Sequence, residues 1–256
     1  MRIVLPRYLN CEPIRIGLRK IVGEVEILDI EPSRTLEILL EESPELCMIP
    51  VAQITEQVLE RYYMSDICIA SVGPVRSVGV YYIDSVKVSE IDHIYSTKES
   101  ATSVKILKHI FETKYQKKIK IERIDVNRTN LQEVIESSPT FLIGDLALEA
   151  YYRYRIVLDV GEEWYNMYSI PLIYAVLTYR RDMRSLESIL RKLRDMLRNS
   201  SIIINMINEI NTYLRDILPI DLIVEYLTKN IVYVLEREIV EDVLRFEREI
   251  IESVTL

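Results

Sequence analysis

Residues 67–78 read ICIASVGPVRSV, an apolar run that gives way to a polar loop and then to a second apolar run. The first four residues are typical of a buried strand, and Gly73 and Pro74 mark a turn. The second run covers residues 76–83, and a comparable β-type run covers residues 171–179. These two long runs flank the middle part of the chain. They predict two lobes joined by two crossing strands, with a ligand cleft between the lobes.

Short β-type runs alternate with amphipathic helical patterns over the first two thirds of the chain. The candidate strands are residues 2–5, 25–30, 45–49, 66–70, 76–83, 93–95, 118–124, 140–143, 155–159 and 171–179. They are rich in Ile, Val and Tyr and are bounded by Pro, Gly, Ser or Asp. Between them, apolar residues such as Ile106, Leu107, Ile110 and Phe111 repeat at helical spacing. This alternation predicts an α/β fold with largely parallel sheets.

The last third of the chain carries long helical patterns. They cover residues 182–198, 201–214 and, with breaks, 220–252, and their charged residues are expected to face solvent. We interpret this segment mainly as packing material. Together with the crossing strands, it predicts a first lobe of residues 1–84 and 172–256, which includes the C-terminal helices, and a second lobe of residues 85–171.

The composition excludes several classes of protein. The 256 residues include 32 Lys and Arg against 40 Asp and Glu, and the resulting net charge of −8 argues against a nucleic-acid partner. No stretch approaches the roughly 20 apolar residues of a membrane span, so no membrane partner is expected. Pro6 breaks the apolar start too soon for a signal peptide, which predicts a cytoplasmic protein. The three cysteines form no CxxC pair, which predicts no structural metal site. The oligomeric state is left open.

Four polar loops follow or open the predicted elements, at residues 5–13, 71–78, 96–103 and 143–145. In open α/β sheets, ligands bind beyond the carboxyl ends of the strands, where helix N-termini direct their free N–H groups. We therefore expect these loops to converge on one small, anionic ligand.

Five motifs, in this order, resemble the chorismate dehydratase family of the futalosine route to menaquinone. They are Tyr8-Leu9-Asn10-Cys11-Glu12-Pro13, CIASVGPVRSV at 68–78, ESATSV at 99–104, LIGDLAL at 142–148 and LDVGEEW at 158–164. The resemblance continues to Tyr226-Leu227-Thr228 and the terminal helix, so it covers nearly the whole chain. It implies the two-lobed α/β fold of type II periplasmic solute-binding proteins.

The resemblance also implies an activity. A member of this family is a hydro-lyase that removes water from chorismate, a ring dicarboxylate, and forms 3-[(1-carboxyvinyl)oxy]benzoate without a metal or an organic cofactor. The chain departs from the family pattern at Tyr168-Ser169-Ile170-Pro171-Leu172 and at Val51. These departures leave open an alternative, a cytoplasmic paralogue that binds another small carboxylated ligand without catalysis.

The resemblance points to Asn10 and Ser77 as the catalytic residues. The amide of Asn10 can hydrogen-bond the departing hydroxyl or a carboxylate, and Ser77 adds a hydroxyl donor near the same group. The candidate substrate-binding residues are Ser71, Gly73, Ser100, Thr102, Ser103, Gly144, Asp145 and Trp164. No Asp, Glu or His stands out as a general base, so we expect a carboxylate of the substrate to remove the ring proton.

Overall fold

The computed structural model describes residues 1–97, 101–210 and 212–254, and within these ranges eleven strands form two sheets. The first sheet has six strands, in the spatial order Val232–Val234 (β11), Tyr62–Ser71 (β4), Leu172–Arg180 (β10), Leu46–Pro50 (β3), Arg2–Leu5 (β1) and Glu26–Asp29 (β2). The second sheet has five strands, in the order Lys120–Arg123 (β7), His93–Ser96 (β6), Thr140–Ile143 (β8), Val78–Tyr82 (β5) and Arg155–Asp159 (β9). The ten strands predicted from the sequence are confirmed, and each sheet forms the centre of one lobe.

Helices cover the sheets and fill the C-terminal part of the chain. In chain order they are Glu12–Val22 (α1), Thr35–Glu42 (α2), Glu56–Arg61 (α3), Ala101–Lys114 (α4), Leu131–Ser137 (α5), Gly144–Arg153 (α6), Val160–Tyr168 (α7), Leu186–Leu197 (α8), Ser200–Met206 (α9), Ile220–Glu225 (α10) and Arg237–Ser253 (α11). A short 3₁₀ turn, Leu9–Cys11, precedes α1, and a π-helical turn, Tyr226–Asn230, follows α10. Among the described residues, no helix has both the length and the apolar character that a membrane span requires.

The prediction of largely parallel sheets is wrong, because the sheets are mixed. β1 pairs in parallel with β2 and β3, and β6 pairs in parallel with β7 and β8. In contrast, β10 is antiparallel to β3 and β4, and β5 is antiparallel to β8 and β9. Parallel neighbours need a crossover, usually helical, that brings the chain back to the same end of the sheet. β5 and β10 are each entered from the other sheet, so no such crossover sets their direction.

The chain changes sheets earlier than the sequence pattern indicates. β4 ends at Ser71 in the first sheet, and β5 begins at Val78 in the second sheet. Residues 78–82 therefore pair in the second sheet, although the predicted lobe boundary at residue 84 assigned them to the first. The segment that crosses is the loop between the two strands, which we call the linker, Val72–Ser77. It leaves strand geometry because Gly73 and Arg76 both have positive φ, at 85° and 63°, and Pro74 removes a donor.

The last third contains more than helices. β11 is only three residues long, and it is antiparallel to β4 at the edge of the first sheet. Its residues lie between two helical patterns, so its strand conformation comes from pairing with β4 rather than from a local signal. The interpretation of residues 220–252 as helix with breaks therefore missed a strand that extends the first sheet.

Candidate active site

A cleft of about 780 Å³, including its open mouth, lies between the two sheets, where the predicted polar loops meet. Its described lining residues are Pro6, Tyr8, Asn10, Cys11, Pro32, Ser33, Met48, Pro50, Gln53, Ile69, Val75, Ser77, Val78, Thr102, Ser103, Ile143, Gly144, Tyr174 and Ala175. They come from β3, β4, β10 and the end of β8, from the segments that follow β1, β2 and β3, from the linker, and from the starts of β5, α4 and α6. Asn10, Ser77, Thr102, Ser103 and Gly144 are thus brought together, as the sequence predicts.

The described part of the lining carries no Asp, Glu, Lys, Arg or His side chain. An anionic ligand would therefore be held by hydroxyl, amide and backbone N–H groups rather than by an ion pair. Thr102 and Ser103 stand in the first turn of α4, a helix of 14 residues whose N-terminal N–H groups and dipole favour negative charge. Clusters of three or more potential metal ligands do not occur among the described residues.

Asn10 is placed by the 3₁₀ turn that follows the first strand. Its side chain is only 9% exposed, and its amide opposes the rise that burial causes in the pKa of Tyr226. Its Oδ1 has no hydrogen-bond partner within the part of the chain that the structure describes. A buried acceptor without a partner is unfavourable, and Asn10 as a residue lines the cleft.

Ser77 is held by a residue that the sequence analysis did not select. The hydroxyl of Tyr226 donates to Ser77 Oγ at 2.9 Å, and both residues are buried. Burial raises the pKa of Tyr226 above its ordinary range, so this hydroxyl stays protonated at neutral pH. Tyr226 belongs to the C-terminal segment that we interpreted as packing material. The only sequence signal for it was its place in the Tyr226-Leu227-Thr228 stretch of the family resemblance.

Ser71 and Gly73 lie behind the cleft and do not line it. Ser71 Oγ is 3.0 Å from the hydroxyl of Tyr174, and Tyr174 is the side chain that reaches the cleft. An irregularity in the pairing of β10 with β4 between Ile173 and Ala175 breaks the usual alternation of side chains. Because of this irregularity, the adjacent residues Tyr174 and Ala175 both line the cleft. The sequence predicted that Ser71 contacts the substrate, but in the structure Tyr174 lines the cleft and Ser71 contacts Tyr174.

The linker is tied to the second lobe by Asp159, the last residue of β9. One oxygen, Oδ1, accepts the N–H groups of Val75 and Glu162 at 3.0 Å each, and Oδ2 accepts the N–H of Arg76 at 2.7 Å. The third bond, to Glu162, caps the N-terminus of α7. The linker residues that precede Ser77 are therefore fixed by a buried carboxylate.

Gly144 and Asp145, at the start of α6, contact the loop that follows β1 and carries Asn10. Gly144 has φ +64°, and a Cβ at this position would lie 2.7 Å from the ring of Tyr8. Asp145 Oδ1 accepts the backbone N–H of Leu9 at 2.9 Å, directly before Asn10. Burial raises the pKa of this carboxyl to about 7, and the hydrogen bond from Leu9 opposes the shift. Asp145 thus supports the loop instead of lining the cleft.

Trp164 lies in the protein core. It is fully buried, its indole N–H donates to the carbonyl of Pro171 at 3.1 Å, and it packs against Tyr168 and Phe246. Its face of α7 points toward α11 and away from the cleft lining. Ser100, the remaining candidate, lies outside the described residues.

No described group in the cleft is suited to act as a general base. Cys11 lines the cleft, but burial raises the pKa of its thiol to about 12, and burial also raises the pKa of Tyr174. Both side chains are therefore neutral at pH 7. The described lining can orient a ligand and exchange hydrogen bonds with it, and the role of the substrate as the base stays a prediction.

Comparison with known proteins shows the family and the fold. A family model described as menaquinone biosynthesis matches residues 1–250. A chorismate dehydratase of Thermus thermophilus is 23% identical over 208 residues, which cover 75% of this chain and 74% of that protein.

Solved structures share the architecture at low sequence identity. A protein from Archaeoglobus fulgidus superposes with a TM-score of 0.71 at 17% identity and covers 98% of this chain and 96% of its own. A Candida albicans protein described as having the generic periplasmic binding protein fold gives a TM-score of 0.65 at 10% identity, with 100% and 91% coverage. The fold is therefore the two-lobed, periplasmic-binding-protein-like α/β fold that the motifs imply. Because the family model spans almost the entire sequence, the chain belongs to the menaquinone biosynthesis family.

Proposed function

We propose that this protein is a chorismate dehydratase that forms 3-[(1-carboxyvinyl)oxy]benzoate for menaquinone biosynthesis by the futalosine route. The observation that carries the proposal is the pair formed by Asn10 and Ser77 in a cleft whose described lining is uncharged, in a chain of this family. The similarity to the Thermus thermophilus enzyme supports the choice of substrate. We further propose that the protein acts in the cytoplasm and needs no cofactor.

The reaction removes a hydroxyl group and a ring hydrogen from chorismate and releases them as one water molecule. The side-chain amide of Asn10, which lines the cleft, hydrogen-bonds the hydroxyl that departs and can do so in either amide orientation. Ser77 Oγ donates a hydrogen bond to the oxygen of the same group and stabilises the negative charge that develops on it. A carboxylate of the substrate takes the ring proton, and the ring becomes aromatic as the C–O bond breaks. The carboxyl group then gives this proton to the departing hydroxide, which leaves as water, and the carboxylate is restored.

The two carboxylates of chorismate require favourable surroundings without a cation in the described lining. Thr102 and Ser103 offer hydroxyl groups, and the first turn of α4 offers N–H groups and the positive end of its dipole. We also assign Gly144 to the substrate-binding residues, because its backbone lies close to the ring of Tyr8 and leaves no room for a side chain there. These residues bind the substrate, and Asn10 with Ser77 acts on the hydroxyl.

The proposal is tested by mixing the purified protein with chorismate and following the products by mass. We expect a product lighter by one water, and Asn10→Ala should lower its rate of formation by about 100-fold or more. Ser188→Ala, on an exposed face of α8, is the matched control and should keep wild-type turnover. Intact chorismate together with a ligand-induced rise in melting temperature would contradict catalysis and support the binding alternative. Intact chorismate without such a rise would contradict the choice of ligand.

A further inference from the structure

One extra residue in β10 turns an aromatic side chain into the cleft. The residues before and after Tyr174 are paired with consecutive residues of β4, Ala70 and Ile69, so Tyr174 is the extra residue of a β-bulge. The bulge breaks the alternation of side chains, and Tyr174 lines the cleft together with its neighbour Ala175. Bulges are over-represented next to active sites, where they re-aim a side chain. The backbone of β10 therefore directs Tyr174 to the cleft.

The hydroxyl of Tyr174 lies on the side of the ring away from the cleft. Its oxygen is 3.0 Å from Ser71 Oγ, and a Cβ at Gly161 would lie 3.0 Å from the same oxygen. Ser71 and Gly161 are both buried, and neither belongs to the described cleft lining. Tyr174 itself is only partly buried. Because buried residues enclose its hydroxyl end, the part of Tyr174 that reaches the cleft is the ring.

The ring lies next to an apolar surface made by three paired strands. Ala175 of β10 is opposite Pro50 of β3 on one side and opposite Ile69 of β4 on the other. All three residues line the cleft, and so does Met48, which is on the same face of β3 as Pro50. We call these four residues the apolar floor. A ring placed on the apolar floor would remove apolar surface of both ligand and protein from water.

The described lining contains a second aromatic side chain, Tyr8, in different surroundings. Tyr8 belongs to the loop that carries Asn10, and its ring packs against the backbone of Gly144. Trp164, the aromatic residue selected from the sequence, lies in the core. Tyr174 is therefore the aromatic residue that lies with the apolar floor.

We propose that Tyr174 is a specificity-determining residue that recognises the ring of the ligand, and that Ser71 positions it by holding its hydroxyl away from the cleft. This inference rests on the proposed function and deepens it, because it assigns a contact to the ring of the substrate. Two aromatic rings attract each other more than their buried area alone accounts for. Tyr174 therefore favours a flat, unsaturated ring over a saturated one, and its contact strengthens as the substrate ring becomes aromatic.

The binding test compares two dicarboxylates with the same substitution pattern. Isophthalate has an aromatic ring, and cis-cyclohexane-1,3-dicarboxylate has a saturated ring. Both carry two charges at neutral pH, so they differ in the ring. Calorimetric titration of the wild type should show that isophthalate binds about 3- to 10-fold more tightly, as expected for one aromatic pair. Equal affinities, or binding of neither probe, would overturn the inference.

Substitution of the ring should remove this preference. For Tyr174→Leu we expect the two affinities to differ by less than about twofold, because the aromatic contact is lost. Tyr179→Leu is the matched control, since Tyr179 is a second tyrosine of β10, is 7% exposed and lies outside the described cleft lining. It should keep the wild-type preference. A preference that survives in Tyr174→Leu would contradict the role of Tyr174.

The same ratio of affinities tests the positioning role of Ser71. Ser71 touches neither probe, so general structural damage would weaken the binding of both probes alike. Ser71→Ala releases the Tyr174 hydroxyl and should lower the preference for isophthalate by about twofold. In a Tyr174→Phe background the same change should have a clearly smaller effect, since no hydroxyl remains to be held. An unchanged ratio in Ser71→Ala would overturn the positioning role.

The final measurement detects the contact in the wild type. In protein labelled with ¹³C-tyrosine, the ring signals of Tyr174, assigned by their loss in Tyr174→Phe, should show nuclear Overhauser contacts to the ring protons of isophthalate. Absence of these contacts would overturn the inference even if Tyr174→Leu did not fold. If the wild type leaves chorismate intact, the proposed function fails, and the two probes still decide whether Tyr174 recognises a ring. Turnover of chorismate with equal affinities for the two probes would support the proposed function and overturn the inference alone.

Discussion

Two buried carboxylates of the second lobe hold two different loops near the cleft, the linker and the loop that precedes Asn10, and they do so differently. Asp159 accepts three backbone N–H groups, two of them from the linker, and we call Asp159 with Val75 and Arg76 the linker contact. Asp145 accepts one N–H, from Leu9, and we call this pair the loop contact. Both side chains are less than one tenth exposed. The linker contact has three donors, whereas the loop contact has a single one.

This difference in donors has an electrostatic consequence. Burial raises the pKa of both carboxyls, because a charge loses its hydration in the interior. At Asp159 three N–H groups oppose the shift, while at Asp145 only the Leu9 N–H does, and its pKa reaches about 7. The linker contact is therefore held by three hydrogen bonds to one carboxylate. The loop contact lies next to Asn10, and the protonation state of Asp145 changes near neutral pH.

Removal of each carboxylate should give the largest difference between the two contacts, measured as the loss in free energy of unfolding. Asp159→Ala leaves three N–H groups without their partner, and we expect it to lower the free energy of unfolding by about 3–6 kcal/mol. Asp145→Ala removes one bond and should cost about 1–2 kcal/mol. Urea denaturation of both variants measures the difference. Equal losses would contradict the view that the number of donors distinguishes the contacts.

The pH dependence of stability should sharpen the comparison at Asp145. Its pKa is about 7 in the folded protein and 3.8 in the reference state, so the folded form binds more protons between these values. Stability contributed by this group is therefore greatest at low pH and falls by about 2–4 kcal/mol as the pH rises from 4 to 7.

Asp145→Asn provides the control for this pH effect, because its amide oxygen can still accept the Leu9 N–H but does not titrate. Urea denaturation at several pH values should show a smaller decrease toward neutral pH for this variant than for the wild type. Identical pH profiles would show that Asp145 does not titrate in this range.

Substitution of a glycine near each carboxylate, Gly161 near Asp159 and Gly144 next to Asp145, should have the smallest effect on the free energy of unfolding. A Cβ at Gly161 would lie 2.5 Å from the backbone oxygen of Gly73, so Gly161→Ala should cost about 2–3 kcal/mol. At Gly144 the obstacle is the ring of Tyr8, which can shift, and the positive φ adds strain, so Gly144→Ala should cost about 1–2 kcal/mol.

Gly23→Ala isolates the strain of a positive φ, since nothing lies within 4 Å of its added Cβ. Urea denaturation of the three variants should rank Gly161→Ala as the most destabilised. The comparison would fail if Gly161→Ala were no worse than Gly23→Ala, because the close approach of α7 to the linker would then carry no cost.

The sequence predicted the elements and the place of the cleft well. Apolar runs bounded by Pro, Gly or Ser located ten strands, and the polar residues after them predicted that Asn10, Ser77 and Thr102 meet at one site. These features are local, because strand periodicity and turn chemistry are properties of neighbouring residues. The order of the motifs also indicated the family, because five motifs that are each weak become specific when they occur in the same order along the chain.

Other features depend on contacts between distant segments. The antiparallel direction of β5 and β10 follows from where the chain crosses between sheets, and the short β11 exists because β4 offers an edge. The same holds for side chains. Trp164 turns into the core because α11 covers its face of α7, and Asp145 serves Leu9, 136 residues away along the chain.

The sequence by itself determined the α/β pattern, the polar loops and the presence of Asn10 and Ser77 in them. Only the tertiary structure decided that the hydroxyl of Tyr226, 149 residues beyond Ser77, donates a hydrogen bond to Ser77 Oγ. The physical reason is that periodicity records which face of an element is buried, whereas a hydrogen bond depends on the distance and direction between groups that folding alone brings together.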